Sequence, residues 1–332
     1  MTRICVTGAS GFIGRTLAEH WRTQGVDVVG VDRLPDPALG VVAGDISEPG
    51  PWQRIAEGCD VLVHTAALVG MPSDDSGFWA VNVRGTRLAL EAARDAGVPR
   101  FVHLSSVVTF GLDFPDGVDE RWPVMPTGVA YVDTKIASEQ VVLQAHAAGE
   151  ASVTVVRPGD VYGPGSRPWT VLPVELLKAR RFALPERGRG IHSPVYVDDL
   201  VAGIVAAAGA DAAAGQVITL SGGVGVETRE FFGHYARMLG RRSVPGVPTR
   251  VALAAAAAQD RLARVRGTVN EVTPAAVRYL ALRRGTYGIG RARELLGWIP
   301  AVGLEQGMSR TEDWLRRERL IGTTSGGRRP TL

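Results

Sequence analysis

An α/β fold is predicted by the sequence: a doubly wound parallel sheet with a smaller, mostly helical C-terminal lobe. Short apolar runs alternate with longer amphipathic stretches up to residue 157, which is the pattern of strands and crossover helices. Several of these runs are apolar on both faces, as strands covered by helices on both sides are. After Pro158 this alternation ends, and the pattern predicts mainly helical segments interrupted by prolines.

Six strands are predicted before residue 158, with helices between them. The strands are expected at 3–8, 26–32, 40–45, 60–66, 100–106 and 152–158, and the helices at 12–24, 51–58, 78–96 and 130–149. Later in the chain, the pattern predicts a helix at 170–181, a strand end running into a helix at 194–209, and a strand at 216–222.

These elements predict the domain organisation. Residues 1–157 are expected to form a core to which residues 194–225 return. Residues 158–193 and 226–318 are expected to form a lobe built onto that core, and residues 319–332 a flexible tail.

The composition is that of an ordinary globular protein, with 45% hydrophobic residues, 21% charged residues and a formal net charge of +3. No basic stripe with interleaved aromatic residues occurs, so nucleic acid is not an expected partner. Cys5 and Cys59 lack the spacing of a metal or disulfide motif, and the histidines lack metal-ligand spacing. No metal is therefore expected.

The chain begins with a predicted strand instead of a signal peptide, which favours a cytoplasmic location. The most apolar stretch, residues 251–258, is far too short to span a bilayer. It is expected to form one face of a buried helix, and no membrane partner is expected.

Glycines follow the first predicted strand in the sequence TGASGFIG. Gly8, Gly11 and Gly14 lie where this strand turns into a helix, and a pyrophosphate approaching such a turn requires residues without a Cβ. The N–H groups at the helix start, around Phe12 and Ile13, then face the negative charge. An ordinary turn is the alternative, but the position between strand and helix favours a Rossmann-type dinucleotide site.

Asp32 ends the second predicted strand, 18 residues after Gly14. A carboxylate at this point accepts hydrogen bonds from ribose hydroxyls and repels a 2′-phosphate, which favours NAD over NADP. The neighbouring Arg33 softens this preference if it pairs with a phosphate. The alternative interpretation of Asp32 is a turn residue at a strand end.

Tyr131 and Lys135 are four residues apart in a predicted helix and therefore share one face. Lys135 is one of only two lysines in the chain, whereas arginine occurs 35 times. An ammonium near a phenol is expected to lower the pKa of Tyr131 toward the working range of a general base. Lys135 is also able to reach a cofactor ribose. A surface Tyr/Lys pair is the alternative interpretation.

A serine completes this set at the end of the fifth predicted strand, because ligands bind at the carboxyl edge of a parallel sheet. Ser106 is expected to donate to a substrate oxygen while Tyr131 exchanges the proton. Ser105 competes for this role, and a strand-end cap is the alternative interpretation of either serine.

The chain resembles the extended short-chain dehydrogenase/reductase family over residues 2–318. The resemblance rests on TGASGFIG, on Asp32 and on the segments GDI, HTAA, NVRGT, SSVVTFG, YVDTK, RPGDVYGPG and YVDDL, which occur in the family's order. It implies a Rossmann core with a small C-terminal substrate lobe. It also implies a Ser-Tyr-Lys triad, here Ser106, Tyr131 and Lys135.

The resemblance also implies further contacts. Ser106 is chosen over Ser105 because the family's catalytic hydroxyl stands five residues before the glycine matched by Gly111. Besides the glycine loop, Asp32 and Arg33, the residues implied to contact NAD are Asp45, Ile46, Thr65, Ala66, Ala67, Asn82, Ser105, Tyr131, Lys135, Pro158 and Val161. The residues implied to contact the substrate are Val69, Asp160 and His192.

Two branches of the family compete: nucleotide-sugar epimerases and dehydratases, and enzymes similar to 3β-hydroxysteroid and sterol dehydrogenases. Where sugar epimerases place an asparagine and an arginine on the diphosphate, this chain has Asp160 and His192. A carboxylate repels a diphosphate, and a bidentate clamp is lost with the arginine. Arg167, Arg189 and Arg266 remain alternative clamps.

The expected reaction is hydride transfer between NAD and a small-molecule secondary alcohol or ketone, with Tyr131 as the acid/base. A nucleotide-sugar 4-epimerase or dehydratase with transient NADH is the first alternative, and a non-catalytic NAD-binding regulator is the second. Loops 69–77 and 111–129 are expected to form the mouth of the pocket. The resemblance implies a homodimer formed through the helices at 78–96 and 130–149.

Overall fold

A parallel sheet forms the centre of the computed structural model, which describes residues 2–71, 77–268 and 270–322. The strands of the described chain are β1 (Arg3–Thr7), β2 (Asp27–Asp32), β3 (Val41–Ala43), β4 (Val61–His64), β5 (Arg100–Leu104), β6 (Val153–Pro158), β7 (Asp160–Tyr162), β8 (Ile191–His192), β9 (Pro194–Tyr196), β10 (Val217–Leu220) and β11 (Val226–Glu227). Seven of them make the sheet, in the order β10-β6-β5-β4-β1-β2-β3, with parallel pairing throughout. The predicted fold class is confirmed.

Helices cover both faces of this sheet and build the lobe. The α-helices of the described chain are α1 (Phe12–Thr23), α2 (Gly85–Asp95), α3 (Ala130–Ala147), α4 (Leu172–Lys178), α5 (Val197–Gly209), α6 (Thr228–Met238), α7 (Thr249–Arg266), α8 (Pro274–Leu282), α9 (Gly290–Leu296) and α10 (Leu304–Arg317). The segment predicted as a helix at 51–58 forms a short 3₁₀-helix, Pro51–Ala56. The first part of the helix predicted at 78–96 is a π-helix, Trp79–Arg84, which continues into α2.

Alternate side chains of each central strand enter opposite halves of the core. In β1, Ile4 and Val6 pack with Leu17 of α1, whereas Cys5 packs on the opposite face with Val142 of α3. Both faces of the sheet are thus buried, which explains why the strand sequences are apolar without alternation.

The chain reverses its direction of winding at β1, because β2 lies on one side of this strand and β4 on the other. The crossover connections on the two sides diverge at this point, and a crevice opens at the carboxyl ends of the strands. The glycine turn after β1 lies at this crevice, together with the ends of β4 and β5.

Residues after β6 form small paired strands and most of the lobe. β7 pairs with β9 in parallel, and β8 pairs with β11 antiparallel. Within the predicted tail 319–332, Ile321 is only 4% exposed and packs with the main core cluster, so the described start of this segment is not free of the core. Residues 323–332 lie outside the described residues.

The apolar stretch at 251–258 was expected on a buried helix, and this expectation is wrong. It forms the first half of α7, in which only Ala256 and Asp260 are buried. The inward face of α7 needs only this narrow strip to pack on α8, so most of its alanines and valines point outward. None of the helices in the described parts of the chain is long and apolar enough to cross a membrane.

Candidate active site

A cavity of about 1490 Å³ extends from the crevice between β1 and β4 into the lobe. Most of the predicted site residues line it: Gly8, Gly11, Phe12, Ile13, Gly14, Asp32, Arg33, Asp45, Ile46, Thr65, Ala66, Ala67, Val69, Ser105, Ser106, Tyr131, Lys135, Pro158, Asp160 and Val161. Parallel topology explains this convergence, since most of these residues follow the carboxyl ends of neighbouring strands.

The glycine turn fits a pyrophosphate. Gly8 has φ of +72°, and a Cβ on it would lie 2.7 Å from the amide nitrogen of Ala66. A Cβ on Gly14 would lie 2.2 Å from the carbonyl oxygen of Gly8. No side chain caps the N-terminus of α1 at Gly11, so the first amides of this helix remain free to bind an anion.

Asp32 is held at the end of β2 by backbone donors. Its Oδ2 accepts a hydrogen bond from the Ser10 amide at 3.1 Å, and its Oδ1 accepts one from the Leu34 amide at 3.0 Å. These bonds fix the carboxylate at the cavity wall and leave lone pairs for ribose hydroxyls. Asp45, further along the same wall, accepts from the Ser47 hydroxyl and amide, and these bonds hold the pKa of its carboxyl below the ordinary value.

Tyr131 lies in the first turn of α3 and faces the cavity beside Ser106. Burial raises the pKa of Tyr131 to about 12, whereas hydrogen bonding with the Ser106 hydroxyl acts in the opposite direction. The nearby carboxylate of Asp160 raises the pKa of the phenol further. The side chains of Ser106 and Tyr131 are therefore brought together as a hydroxyl pair, with the phenol protonated at neutral pH.

Lys135 points to the sheet and not to the phenol. Its Nζ donates a hydrogen bond to the carbonyl oxygen of Leu104 at 2.7 Å, and the residue is 4% exposed. Burial lowers the pKa of Lys135 to about 8, against the charge of Glu139, which raises it. Lys135 is not among the groups that shift the pKa of Tyr131, and burial raises this pKa instead of the lowering expected from the ammonium.

A buried ion pair lies behind the two serines and was not found from the sequence. Glu139 and Arg157 form two hydrogen bonds of 2.8 Å and 2.7 Å, and both are almost fully buried. The Ser105 hydroxyl donates to Glu139 as well. The Ser105 hydroxyl is thus bonded to a buried carboxylate, whereas the Ser106 hydroxyl forms a hydrogen bond with Tyr131. The sequence did contain one indication of the position of Glu139. It lies four residues after Lys135 in the predicted helix, so both side chains share the face of the helix that meets the sheet.

Asn82 and His192 do not line the cavity, in contrast to the expectation. The side-chain amide of Asn82 is 2% exposed and bonds to both the amide and the carbonyl of Leu68 and to the Thr134 hydroxyl. It therefore supports the cavity wall from behind. His192 is fully buried, with its ring centroid 4.1 Å from that of Phe231.

Asp160 belongs to a buried polar cluster that we call the Asp160 cluster: Asp160, His192, Tyr279, Arg283 and Tyr287. Arg283 donates to Oδ2 of Asp160 at 2.7 Å, and the Tyr279 hydroxyl donates to Oδ1 at 2.7 Å. Burial opposes ionisation of Asp160, but the charge of Arg283 and the hydrogen bonds from Arg283 and the Ser193 amide act together against it, and the pKa of the carboxyl lies below the ordinary value. Burial lowers the pKa of His192 to about 4, so its ring is neutral. One anion and one cation thus neutralise each other.

The lobe end of the cavity is lined by apolar and aromatic side chains, which the sequence did not identify: Met71, Trp169, Leu172, Leu176, Phe182, Phe232, Val272, Val277 and Leu280. In sequence they are indistinguishable from core residues. Residues 111–129, expected at the mouth, do not line the cavity, because Phe114 and Val118 pack on Tyr287 in a separate cluster. Of the other predicted mouth loop, residues 72–76 lie outside the described residues.

Two of the three arginines proposed as alternative phosphate clamps form ion pairs with glutamates. Arg167 lines the cavity but pairs with Glu271 and Glu175. Arg189 pairs with Glu186, and Arg266 ends α7 on the exposed surface.

The model of the NAD dependent epimerase/dehydratase family matches residues 4–220. A ketoreductase of Stigmatella aurantiaca that acts on 4-hydroxy-2-methyl-3-oxo-4-farnesyl-3,4-dihydroquinoline-1-oxide is 32% identical over 323 residues, covering 92% of this chain and 94% of the relative. A UDP-glucose 4-epimerase of Mycolicibacterium smegmatis is 30% identical over 340 residues, covering 95% and 99%. A 3-beta-hydroxysteroid dehydrogenase of Mycolicibacterium neoaurum is 28% identical over 330 residues, covering 92% and 89%.

The relatives thus include enzymes of both branches, and the match extends over nearly the whole chain. Together with the parallel sheet and the dinucleotide-type crevice, it supports an NAD-dependent enzyme of the dehydrogenase, reductase or epimerase type. The chain belongs to the NAD-dependent epimerase/dehydratase family, within the extended short-chain dehydrogenases/reductases.

Proposed function

We propose that the chain oxidises or reduces an apolar small molecule at a secondary alcohol or ketone, in the manner of a 3β-hydroxysteroid dehydrogenase. The observation that carries this proposal is the lobe end of the cavity. Most of its wall is apolar and aromatic. Among the charged side chains that also line it, Arg167 and Arg264 are held in ion pairs. The buried charges of Asp160 and Arg283 neutralise each other. An uncharged ring system gains burial on such a wall, whereas a diphosphate finds no unpaired buried arginine among the described residues at this end of the cavity.

NAD, when bound, accepts or supplies the hydride. Gly8, Gly11 and Gly14 hold its pyrophosphate in this proposal, and Asp32 holds the adenosine ribose, which favours NAD over NADP. The residues of the chain position the substrate and handle the proton.

Tyr131 is the acid/base group. In ketone reduction its phenol gives its proton to the substrate oxygen. In alcohol oxidation the phenol first loses its proton to solvent, and the phenolate then takes the hydroxyl proton of the alcohol. Without substrate, the Ser106 hydroxyl bonds to Tyr131 and lowers the pKa of the phenol. With substrate bound, its single proton is donated to the substrate oxygen instead. The Lys135 ammonium donates a hydrogen bond to the Leu104 carbonyl oxygen and also lines the cavity. In this proposal its positive charge interacts with the ribose of the nicotinamide half of NAD.

Substrate and cofactor regions divide along the predicted boundaries in this proposal. Residues 1–157 with 194–225 bind NAD, and residues 158–193 with 226–318 select the substrate. The cytoplasmic location and the homodimer stay predictions.

A nucleotide-sugar 4-epimerase is the second candidate, favoured by the UDP-glucose 4-epimerase relative. Arg181 lines the cavity, its side chain is exposed, and it has no ion-pair partner among the described residues. It is the group of this wall best suited to meet a phosphate.

Turnover measured with apolar secondary alcohols and with UDP-glucose distinguishes the dehydrogenase from the epimerase. Purified protein is incubated with NAD and hydroxysteroids or other apolar secondary alcohols, and NADH is followed by its absorbance. We expect NADH to accumulate with these alcohols and UDP-glucose to stay unconverted to UDP-galactose. Conversion of UDP-glucose without net NADH, together with NAD retained through purification, would establish the epimerase instead.

A further inference from the structure

An exposed apolar stripe runs along the outward face of α7. It consists of Val251, Ala255, Ala258, Leu262 and Val265, which recur at alternating steps of four and three residues and so lie on one side of the helix. Val265 is 85% exposed, and Val251 and Leu262 are about half exposed. Together these residues, which we call the α7 stripe, are the reverse of the buried face around Ala256 and Asp260.

Arginines border the α7 stripe on both sides. At about 100° per residue, Arg250 and Arg261 fall along one edge, and Arg266 falls along the other. All three are exposed, and none forms an ion pair within residues 2–71, 77–268 and 270–322. A fourth, Arg264, pairs with Asp260 at 2.7 Å. The helix therefore presents an apolar centre between cationic edges.

The α7 stripe and the cavity lie on opposite sides of α7. Asp260, Ala263 and Arg264 line the substrate end of the cavity, and at about 100° per residue they fall on the side of the helix that faces away from the α7 stripe. The α7 stripe is therefore outer surface and not part of the cavity wall.

We propose that the α7 stripe docks the protein on the surface of an anionic lipid bilayer. Apolar side chains between arginines match the boundary between acyl chains and anionic headgroups, where arginine stems lie along the apolar surface and their charges meet phosphates. A second copy of the chain is the poorer match, because antiparallel pairing would set arginine edge against arginine edge. No spanning segment is needed, so the proposal adds a surface contact to a chain without a membrane-crossing helix in its described part.

This inference goes beyond the proposed function. The membrane contact itself does not require turnover, so the two proposals fail separately.

Vesicle co-sedimentation with the full chain tests the proposal. Vesicles of phosphatidylcholine alone are compared with vesicles that contain about one third phosphatidylglycerol, at low and high salt. We expect the wild-type protein to sediment with the anionic vesicles and salt to weaken this binding. In L262Q/V265Q the partition constant should fall at least about tenfold, because two apolar side chains no longer enter the bilayer.

V224Q is the control for V265Q: each replaces one exposed valine by glutamine, and Val224 lies outside α7 and is 63% exposed. It should bind vesicles as the wild-type protein does. R261Q/R266Q should lose the salt dependence. Oxidation of a water-soluble secondary alcohol without vesicles should be unchanged in L262Q/V265Q, because neither residue lines the cavity.

Three outcomes overturn the proposal: equal binding to both kinds of vesicle, binding that L262Q/V265Q leaves intact, or no binding at all. Sedimentation velocity identifies the alternative occupant. A dimer of the wild-type protein that L262Q/V265Q converts to a monomer would show that the α7 stripe covers a second copy of the chain.

Discussion

Asp160 of β7 and Arg283, the residue after α8, form an ion pair of 2.7 Å in which each side chain is 1% exposed. The pair joins β7 to the residue after α8 across 123 residues of sequence. Its guanidinium also stacks on the Tyr279 ring, 4.0 Å from the centroid, and Tyr279 itself lines the cavity. The Asp160 cluster therefore satisfies its own charges and serves as part of the cavity wall.

Arg283→Met is expected to destabilise the protein by about 3–5 kcal/mol, because it leaves the buried carboxylate of Asp160 without its cation. Urea unfolding measures the loss. Arg15→Met makes the same change in an exposed pair with Glu19 and should stay within about 0.5 kcal/mol of the wild type.

The double variant D160N/R283M checks the cause. With both charges gone, the unpaired buried anion disappears, so the double variant should be more stable than R283M alone. A double variant as unstable as R283M would show that packing of the Arg283 side chain, and not its charge, holds the lobe.

Tyr131→Phe is expected to reduce turnover by at least about 10²-fold, since the acid/base oxygen is removed. NAD affinity, measured by titration, should stay close to that of the wild type, because the ring keeps its place in α3. Tyr196→Phe is the control: Tyr196 packs on Tyr162 and does not line the cavity. Turnover retained in the Tyr131 variant would remove this residue from the mechanism.

The sequence predicted the sheet and most of its helices because side-chain periodicity is a local property. It did not predict how α7 packs, because an apolar composition does not say which side of a helix meets the core. The two-residue strands β8 and β11 were missed for a related reason, since they are fixed by pairing with each other and not by their own residues.

The site was predictable where it follows strand ends, as at Asp32 and Ser106, since parallel topology brings these ends together. It was not predictable where distant segments meet. No local pattern indicates that Arg283 neutralises Asp160. His192 was predicted to contact the substrate from its position in the family pattern, which does not show that its ring is buried against Phe231. The side chain of Asn82 was predicted to contact NAD, but its amide forms hydrogen bonds with the Leu68 backbone and the Thr134 hydroxyl instead.

Asp32→Ala is expected to weaken NAD binding by about tenfold and to narrow the preference over NADP, because ribose acceptors are lost and Arg33 is left to meet a 2′-phosphate. Titration of both cofactors measures the ratio of their Kd values. Asp27→Ala makes the same change at the opposite end of β2, on an exposed residue, and should leave the ratio as it is. A ratio unchanged in D32A would place the cofactor selectivity elsewhere.

Lys135 should give the protein a measurable pH dependence of stability. Burial lowers its pKa to about 8 from the ordinary value of 10.5, although the charge of Glu139 opposes this shift. The other groups that face Lys135 are His64 and His103, whose pKa values burial also lowers, so both rings are neutral in this range.

Between pH 8 and 10.5 the unfolded chain therefore binds more protons at Lys135 than the folded chain, and this residue's contribution to stability rises with pH. We expect the unfolding free energy of the wild type to increase by roughly 3 kcal/mol relative to Lys135→Met across this window, as followed by urea unfolding at several pH values. Lys178→Met makes the same chemical change at the other lysine, on the exposed surface, and is the matched control. If the difference between wild type and K135M stays flat or falls with pH, the ammonium keeps its proton in the folded protein, and its bond to the Leu104 carbonyl outweighs its burial.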